Sequence, residues 1–179
     1  MRTRTLSLVA MLAAVLAGCS STPARIAAVP EVDVPRFMGD WYVIAHIPSW
    51  PERNAYDAVE TYAVREDGRI QTTFRFRDGG FDQPLRTMSP VGTVREEGNG
   101  AIWDMQFVWP IQAEYVIVDL DDGYTRTIIG RSKRDYVWLM ARQPVMSEAD
   151  YQASVRRIAE LGYDVSKLRV VPHGGTKPD

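Results

Sequence analysis

Alternation of apolar and polar residues is the strongest signal along this chain. In the segment "AIWDMQFVW", every second residue from Trp103 to Trp109 is large and apolar, whereas Asp104 and Gln106 lie on the opposite face. The segment "IQTTFRFR" repeats the arrangement, with phenylalanines on one face and arginines on the other. A period of two residues is typical of a β-strand with one buried face. Both segments are therefore predicted to be half-buried strands.

Short glycine-containing turns separate these runs, at residues 66–68, 78–80, 98–100 and 121–123. Their spacing is typical of antiparallel hairpins. The sequence shows no alternation of strands with helices, which is the pattern that would indicate a parallel sheet. Eight strands are predicted, near residues 41–47, 58–65, 69–77, 84–95, 100–109, 113–121, 124–131 and 136–142.

One helix is predicted after the last of these strands. Ser147 with Asp150 three residues later is typical of a helix start, and an apolar stripe follows up to Gly162. A short extended piece at Leu168–Val171 is expected to join an edge of the barrel. The predicted fold class is all-β: an eight-stranded antiparallel up-and-down barrel with one C-terminal α-helix packed outside. Such a barrel is either filled by its own side chains or holds one small ligand, and the pattern leaves both outcomes open.

Composition narrows the possible functions. The chain has 179 residues, of which 45% are hydrophobic, and this is enough for one domain with a core. Its net charge of −2 is too small to recruit nucleic acid by charge alone. The sequence contains no G-x-S-x-G, no H-E-x-x-H and no closely spaced His or Cys ligands. We therefore expect no enzyme activity, no metal and no cofactor, with a lipid-modifying enzyme built from distant strands as the less favoured alternative.

The first residues have the features of an export signal. Two arginines precede an apolar run from Leu6 to Ala17, which is too short to span a bilayer. The domain boundaries follow from this segment and from composition. We predict a signal peptide at 1–18, an anchored linker at 19–35 with three prolines and no period, a folded domain at 36–172 and a disordered tail at 173–179.

The single cysteine of the chain ends the segment "LAGC", which resembles the lipobox of bacterial lipoproteins. The resemblance implies cleavage before Cys19 and acylation of that residue, so that the chain is anchored to a membrane by lipid. Ser20 follows, and by resemblance to the lipoprotein sorting rule it implies the outer membrane, with the periplasmic face as the expected side. An ordinary secretory signal is the alternative.

Three segments in the expected order resemble the signatures of lipocalins, and of bacterial lipocalins related to apolipoprotein D in particular. They are "FMGDWYVIA" with Gly39 and Trp41, "YVIVDLDDGY" with Asp121, and "RDYVWLMAR" with Arg142. The resemblance implies that Trp41 and Arg142 pack against each other at the closed end of the barrel. That contact suits the planar guanidinium of arginine better than lysine.

The resemblance also implies a function: binding of fatty acids or lysophospholipids, by a monomer or a homodimer, for lipid storage or transport in the cell envelope. The loop Ser49–Asp57, with Trp50, is expected to cover part of the barrel mouth. The candidate ligand-binding residues are Phe74, Phe76, Trp103, Met105, Phe107, Tyr115, Trp138 and Met140. Each of these side chains could equally fill a core, so a structural or assembly lipoprotein with a filled barrel is the alternative function.

Overall fold

The computed structural model describes residues 24–174 of the chain. The predicted signal peptide (1–18), the lipidation site Cys19 and residues 175–179 lie outside the described residues, and the interpretations of these segments remain predictions.

Within residues 24–174, ten strands form one antiparallel sheet that closes on itself, because β1 pairs with β2 on one side and with β9 on the other. β4 and β5 together take the place of one predicted strand, and β10 lies against β1. The prediction of an eight-stranded barrel is confirmed. The strands are β1 (Gly39–Ile47), β2 (Ala55–Val64), β3 (Ile70–Asp78), β4 (Leu85–Met88), β5 (Val91–Val94), β6 (Ile102–Val108), β7 (Ile111–Leu120), β8 (Arg126–Gly130), β9 (Val137–Ala141) and β10 (Arg169–Val170).

The predicted strand at 84–95 is the one that differs most from the structure, since it is broken at Ser89 and Pro90. Proline has no backbone N–H and therefore interrupts a ladder of hydrogen bonds. β4 pairs only with β3, whereas β5 pairs with both β3 and β6. The strand thus bends at the proline as the barrel wall continues toward β6.

Two apolar clusters stabilise the barrel, one inside it and one on its outer wall. The helix α2 (Glu148–Glu160) covers the outer cluster, with Ile158 fully buried against the wall. Ser147 caps the helix by accepting a hydrogen bond from the backbone N–H of Asp150 at 3.1 Å. The prediction of one C-terminal helix outside the barrel is confirmed. Residues 24–174 thus contain a closed sheet and two apolar clusters that pack against it.

A β-bulge in β7 places two consecutive residues, Val118 and Asp119, on the outer face of the barrel. The register of β7 against β8 shifts between Ile117 and Asp119. Ile117 belongs to the inner cluster and Val118 to the outer one, and Asp119 then points to Arg157 of α2 at 3.3 Å. The extra residue of the bulge explains why strict alternation fails here.

Arg142 closes the barrel at the end where β1 begins. Its guanidinium carbon lies 3.8 Å from the ring centroid of Trp41. Its nitrogens donate to the backbone carbonyls of Asp40 at 2.7 Å and Phe37 at 3.0 Å, and the Trp41 indole N–H donates to the same Phe37 carbonyl at 2.8 Å. Gly39 has φ +92°, and a Cβ there would approach the guanidinium to 3.5 Å. The short helix α1 (Val34–Phe37) is thereby fixed under the barrel.

Asp121, the acidic residue of the second signature segment, caps the turn between β7 and β8. Its carboxylate accepts backbone hydrogen bonds from Gly123 at 3.1 Å, Thr125 at 2.8 Å and Arg126 at 2.5 Å. Partial burial would raise the pKa of Asp121, but these hydrogen bonds outweigh it and hold the pKa below its usual value. The role of Asp121 in the structure is therefore to hold this turn.

The prediction of a linker at 19–35 is wrong for its described part. Ile26 and Val32 are only 6% and 5% exposed, and the backbone N–H of Val29 donates to the carbonyl of Ile117 at 2.9 Å. Isolated apolar anchors of this kind create no period, and the sequence pattern therefore did not reveal them. Residues 24–33 run along the barrel as an extended strap.

The predicted disordered tail is also wrong for its two described residues. The Nε2 atom of His173 lies 2.9 Å from the carbonyl oxygen of Val43, and the backbone N–H of Gly174 donates to Asp57 at 2.7 Å. β10, just before them, pairs with Ala45 and His46 of β1 where β1 has separated from β2. Residues 169–174 therefore fill a gap in the wall.

Arg142→Lys tests the closure of the barrel. Lysine keeps the charge but loses the stacked contact and the forked hydrogen bonds to the carbonyls of Asp40 and Phe37. We expect the free energy of unfolding of residues 20–179 to fall by about 2–4 kcal/mol in urea denaturation. Arg156→Lys, the same change at an exposed helix position, should leave it unchanged. Equal stabilities for the two variants would contradict this role of Arg142.

Candidate functional site

The half of the barrel away from Arg142 contains a cavity of about 300 Å³. The loop after β1 contributes Ser49 and Pro51 to its lining, and the loop between β8 and β9 contributes Arg131 and Tyr136. Both loops lie at the end opposite to Arg142, so the cavity opens there. Its volume is at the lower end of the roughly 300–1,000 Å³ typical of small-molecule sites.

The lining comes from six strands and three connecting segments, and most of it is apolar. The apolar and aromatic lining residues are Pro51, Phe74, Met88, Pro90, Met105, Phe107, Ala113, Tyr115, Tyr136 and Trp138. The polar lining residues are fewer: Ser49, Glu52, Glu60, Thr72, Glu114 and Arg131. A surface of this kind binds hydrocarbon by removing it from water and leaves a few groups to orient the ligand.

Five of the eight predicted ligand-binding residues line the cavity: Phe74, Met105, Phe107, Tyr115 and Trp138. Phe76, Trp103 and Met140 do not, although all three are buried. Trp103 and Met140 lie toward the closed end of their strands, and Phe76 is covered by packing against Phe74 with ring centroids 4.9 Å apart. Alternation identified the inward face correctly but gave no information about depth along the barrel.

Aromatic side chains fill the barrel below the cavity. The ring of Trp103 stacks on that of Tyr115 with centroids 4.9 Å apart, and Tyr62 and Phe37 each meet Trp103 edge-on at 5.6 Å. The Trp103 indole N–H donates to the carbonyl of Gly100 at 2.7 Å. The interior therefore combines both outcomes that the sequence left open. The half next to Arg142, the lower half, is filled by side chains, and the half toward the mouth, the upper half, is open.

Glu60 is a polar residue of the cavity that the sequence reasoning missed. β2 runs from the mouth at Ala55 to the closed end at Val64, and Glu60 lies in its middle. Its carboxylate accepts a hydrogen bond from the Tyr62 hydroxyl, which lies 2.8 Å from the Tyr115 hydroxyl. Burial raises the pKa of Glu60 to about 7. The sequence did contain a signal for this role, because Glu60 lies two residues before Tyr62 and therefore on the same inward face of the strand.

A second buried carboxyl, that of Glu52, lies at the mouth. Its oxygens accept hydrogen bonds from the backbone N–H of Ser49 at 3.0 Å and from the indole N–H of Trp138 at 3.1 Å. Burial raises the pKa of Glu52. His46, whose Nδ1 lies 3.9 Å from Glu52, is fully buried, and burial lowers its pKa to about 3. His46 is therefore neutral at physiological pH and does not form an ion pair with Glu52.

The rim of the cavity is apolar where β6 turns into β7. Phe107 lines the cavity and is 54% exposed, and beyond it Val108, Trp109 and Ile111 project into solvent at 68%, 81% and 70% exposure. An exposed apolar patch of this kind commonly marks an interaction site. The predicted covering loop also borders the mouth, but Trp50 itself is 75% exposed and does not line the cavity.

In residues 24–174, no group of three or more His, Cys, Asp or Glu side chains is arranged to hold a metal ion. None of the helices in this part of the chain has the length and apolar character needed to cross a bilayer.

Comparison with known proteins agrees with the fold and with the signature residues. A family model described as "Lipocalin-like domain" matches residues 32–173. "Outer membrane lipoprotein Blc" of Escherichia coli (strain K12) is 29% identical over 182 residues, covering 98% of this chain and all of the relative. "Temperature-induced lipocalin-1" of Arabidopsis thaliana is 29% identical over 157 residues, covering 84% of each chain.

Solved structures show the same fold at low identity. Lobster apocrustacyanin A1 superposes with a TM-score of 0.64 at 10% identity, covering 82% of each chain. Insecticyanin from the tobacco hornworm Manduca sexta superposes with a TM-score of 0.64 at 14% identity, covering 82% of this chain and 83% of its own. The resemblance inferred from the signature segments is confirmed, and the chain belongs to the family of lipocalin-like domains.

Proposed function

We propose that this protein binds lipids such as fatty acids and lysophospholipids and stores or transports them in the cell envelope, anchored to the outer membrane through Cys19. The observation that carries the proposal is the cavity itself, which is mostly apolar and opens at an apolar rim. Binding rather than catalysis is the activity that this lining favours.

Hydrocarbon burial supplies enough affinity for this function. Removing roughly 200 Å² of alkyl surface from water contributes about 5 kcal/mol before the costs of ordering the ligand. Met88 and Met105 line the cavity, and unbranched thioethers adapt to chains of different shape. The proposal therefore includes several related lipids rather than a single one.

The position of the strap supports a barrel mouth that faces the membrane. The guanidinium of Arg134, in the loop between β8 and β9, donates to the carbonyl of Ala24 at 2.8 Å, and the N–H of Ile26 donates to Ser132 at 3.2 Å. The described chain therefore begins beside a loop of the open end. From Ala24 back to Cys19 the chain spans at most about 18 Å. A lipid anchor at Cys19 would hold the apolar rim close to the bilayer.

The name of the Escherichia coli relative, an outer membrane lipoprotein, supports the same location for this chain. A filled barrel with a purely structural role is the less favoured function, because the half toward the mouth is open.

Filling the cavity tests lipid binding. Ala113 lines the cavity, so Ala113→Trp should lower the affinity of residues 20–179 for a fluorescent fatty acid by at least about tenfold. Ala63→Trp makes the same change at an exposed position of β2 and should leave the affinity unchanged. Circular dichroism of both variants checks that the β-sheet is retained. Undiminished binding by a folded Ala113→Trp protein would exclude the cavity as the binding site.

A pair of valines at opposite ends of the barrel tests the orientation toward the membrane. Val108 is at the rim and Val145 lies beyond the closed end, at 68% and 77% exposure. Val108→Asp should slow the uptake of labelled lysophospholipid from vesicles by about fivefold or more, because a charge at the rim resists insertion into the headgroup region. Val145→Asp should have no effect. Equal rates for the two variants would contradict a membrane-facing mouth.

Metabolic labelling tests the anchor. Cells that express the full chain should incorporate an alkyne analogue of palmitate into the protein, and Cys19→Ser should abolish the label because it removes the acceptor thiol. Ser20→Ala is the control and should keep the label. Labelling of the Cys19→Ser protein would show that the lipobox interpretation is wrong.

A further inference from the structure

The floor of the cavity is polar, although its walls are apolar. Glu60, Thr72 and Tyr115 all line the lower part of the cavity, and Tyr62 joins Glu60 to Tyr115 through its hydroxyl. Across the sheet, Glu60 pairs with Trp41 on one side and Phe74 on the other. A carboxyl between two aromatic residues is costly to keep unless something satisfies it.

The floor has more hydrogen-bonding capacity than the protein uses. A carboxylate accepts up to about four hydrogen bonds. Among the contacts of residues 24–174, Glu60 has the Tyr62 hydroxyl as its hydrogen-bond partner. The Thr72 hydroxyl is buried and has no partner within the same residues. An alkyl end that reached this floor would leave these groups unsatisfied, whereas a hydroxyl or an amine would donate to them.

The charge of the floor disfavours a lipid carboxylate at this depth. Two carboxyl groups border the cavity, those of Glu52 at the mouth and Glu60 at the floor. Arg131, the basic side chain among the described lining residues, pairs with Asp135 at 3.3 Å. An anionic head group at the floor would therefore be repelled by Glu60 once that carboxyl is ionised, whereas Arg131 lies in a loop of the mouth, away from the floor.

The rim of the cavity is apolar, whereas the floor is polar. Phe107 continues from the cavity wall onto the exposed side chains of Val108 and Trp109. With about 300 Å³ inside, a long alkyl tail extends past the mouth and would lie against these side chains. The arrangement suits an amphiphile with its head inside and its tail outside.

From this geometry, and resting on the proposed function as a lipid carrier, we infer that the cavity takes its ligand polar end first. The floor of Glu60, Thr72, Tyr62 and Tyr115 recognises a head group that donates hydrogen bonds and carries no negative charge. Among the lipids that the proposed function covers, the floor favours head groups that end in a hydroxyl or an amine, and a fatty-acid anion binds more weakly.

The preference for an amine should depend on pH, because Glu60 at the floor ionises. Burial raises the pKa of Glu60 to about 7, so the carboxyl becomes charged as the pH rises through neutrality. The other titratable groups around the cavity are Glu52 from the loop after β1, Glu114 and Tyr115 from β7, Tyr62 from β2, Arg131 and Tyr136 from the loop after β8, and His46 from β1. Of these, the pKa of Tyr62 and that of Tyr115 lie well above their usual value because of burial, and His46 stays neutral. Binding of an alkylammonium should therefore strengthen with rising pH across neutrality.

The test compares ligands of equal chain length on residues 20–179. Dodecylamine, dodecanol and dodecanoate each displace a neutral fluorescent reporter, N-phenyl-1-naphthylamine, at about pH 8, where Glu60 is ionised. We expect dodecylamine to bind about tenfold more tightly than dodecanoate, with dodecanol between them, because an ammonium pairs with Glu60. Glu60→Gln should reduce the preference for dodecylamine by about fivefold and remove its dependence on pH. Glu66→Gln, in an exposed turn, is the matched control and should change neither.

Tyr115→Phe is the second variant, which removes one floor hydroxyl at nearly constant volume and should reduce the preference for dodecanol over dodecanoate. Equal affinities of the wild-type protein for dodecylamine and dodecanoate, or a preference that persists in Glu60→Gln, would overturn the inference while leaving the carrier function intact. A wild-type protein that binds neither the reporter nor any of the three ligands would overturn both.

Discussion

The stacking of Arg142 on Trp41 is the contact on which the rest of this barrel depends. The guanidinium simultaneously covers the indole and binds the carbonyls of Phe37 and Asp40, and so it ties the last barrel strand to the first one and to α1. With one end sealed in this way, Phe37, Trp41 and the aromatic residues above them form a close-packed lower half. These large side chains occupy only the lower half of the barrel, and the upper half contains the cavity.

Polarity changes along the axis of the barrel in a way that a simple hydrophobic container does not require. A hydrogen-bonded acid lies at the floor, apolar walls rise from it, and an apolar rim projects from the mouth. Residues 24–33 begin beside a loop of that mouth, and the proposed lipid anchor at Cys19 would therefore lie at the same end as the rim. A carrier that collects ligands directly from a bilayer would be arranged in this way, with its binding site opening toward the source of the ligand.

The architecture could be predicted from the sequence because alternation, glycine-containing turns and a capped helix are local signals with direct physical causes. The signature residues Gly39, Trp41 and Arg142 also predicted which end of the barrel is closed. Depth inside the barrel could not be predicted in the same way, since Trp103 and Met105 share a face but only Met105 reaches the cavity. That distinction depends on where each strand begins relative to its neighbours, which the period of a single strand does not contain. The strap was missed because its contacts are isolated, and Glu60 because a charged residue on an inward face is an exception to the pattern.

The central claim is that the upper half of the barrel is a site for one amphiphilic molecule, and native mass spectrometry tests it most directly. Residues 20–179 would be incubated with lysophospholipid, separated from excess lipid and transferred intact to the gas phase. The account predicts a single adduct of one lipid per barrel that is displaced by a second amphiphile. A spectrum that shows only the bare protein, or a ladder of adducts without a preferred stoichiometry, would contradict it.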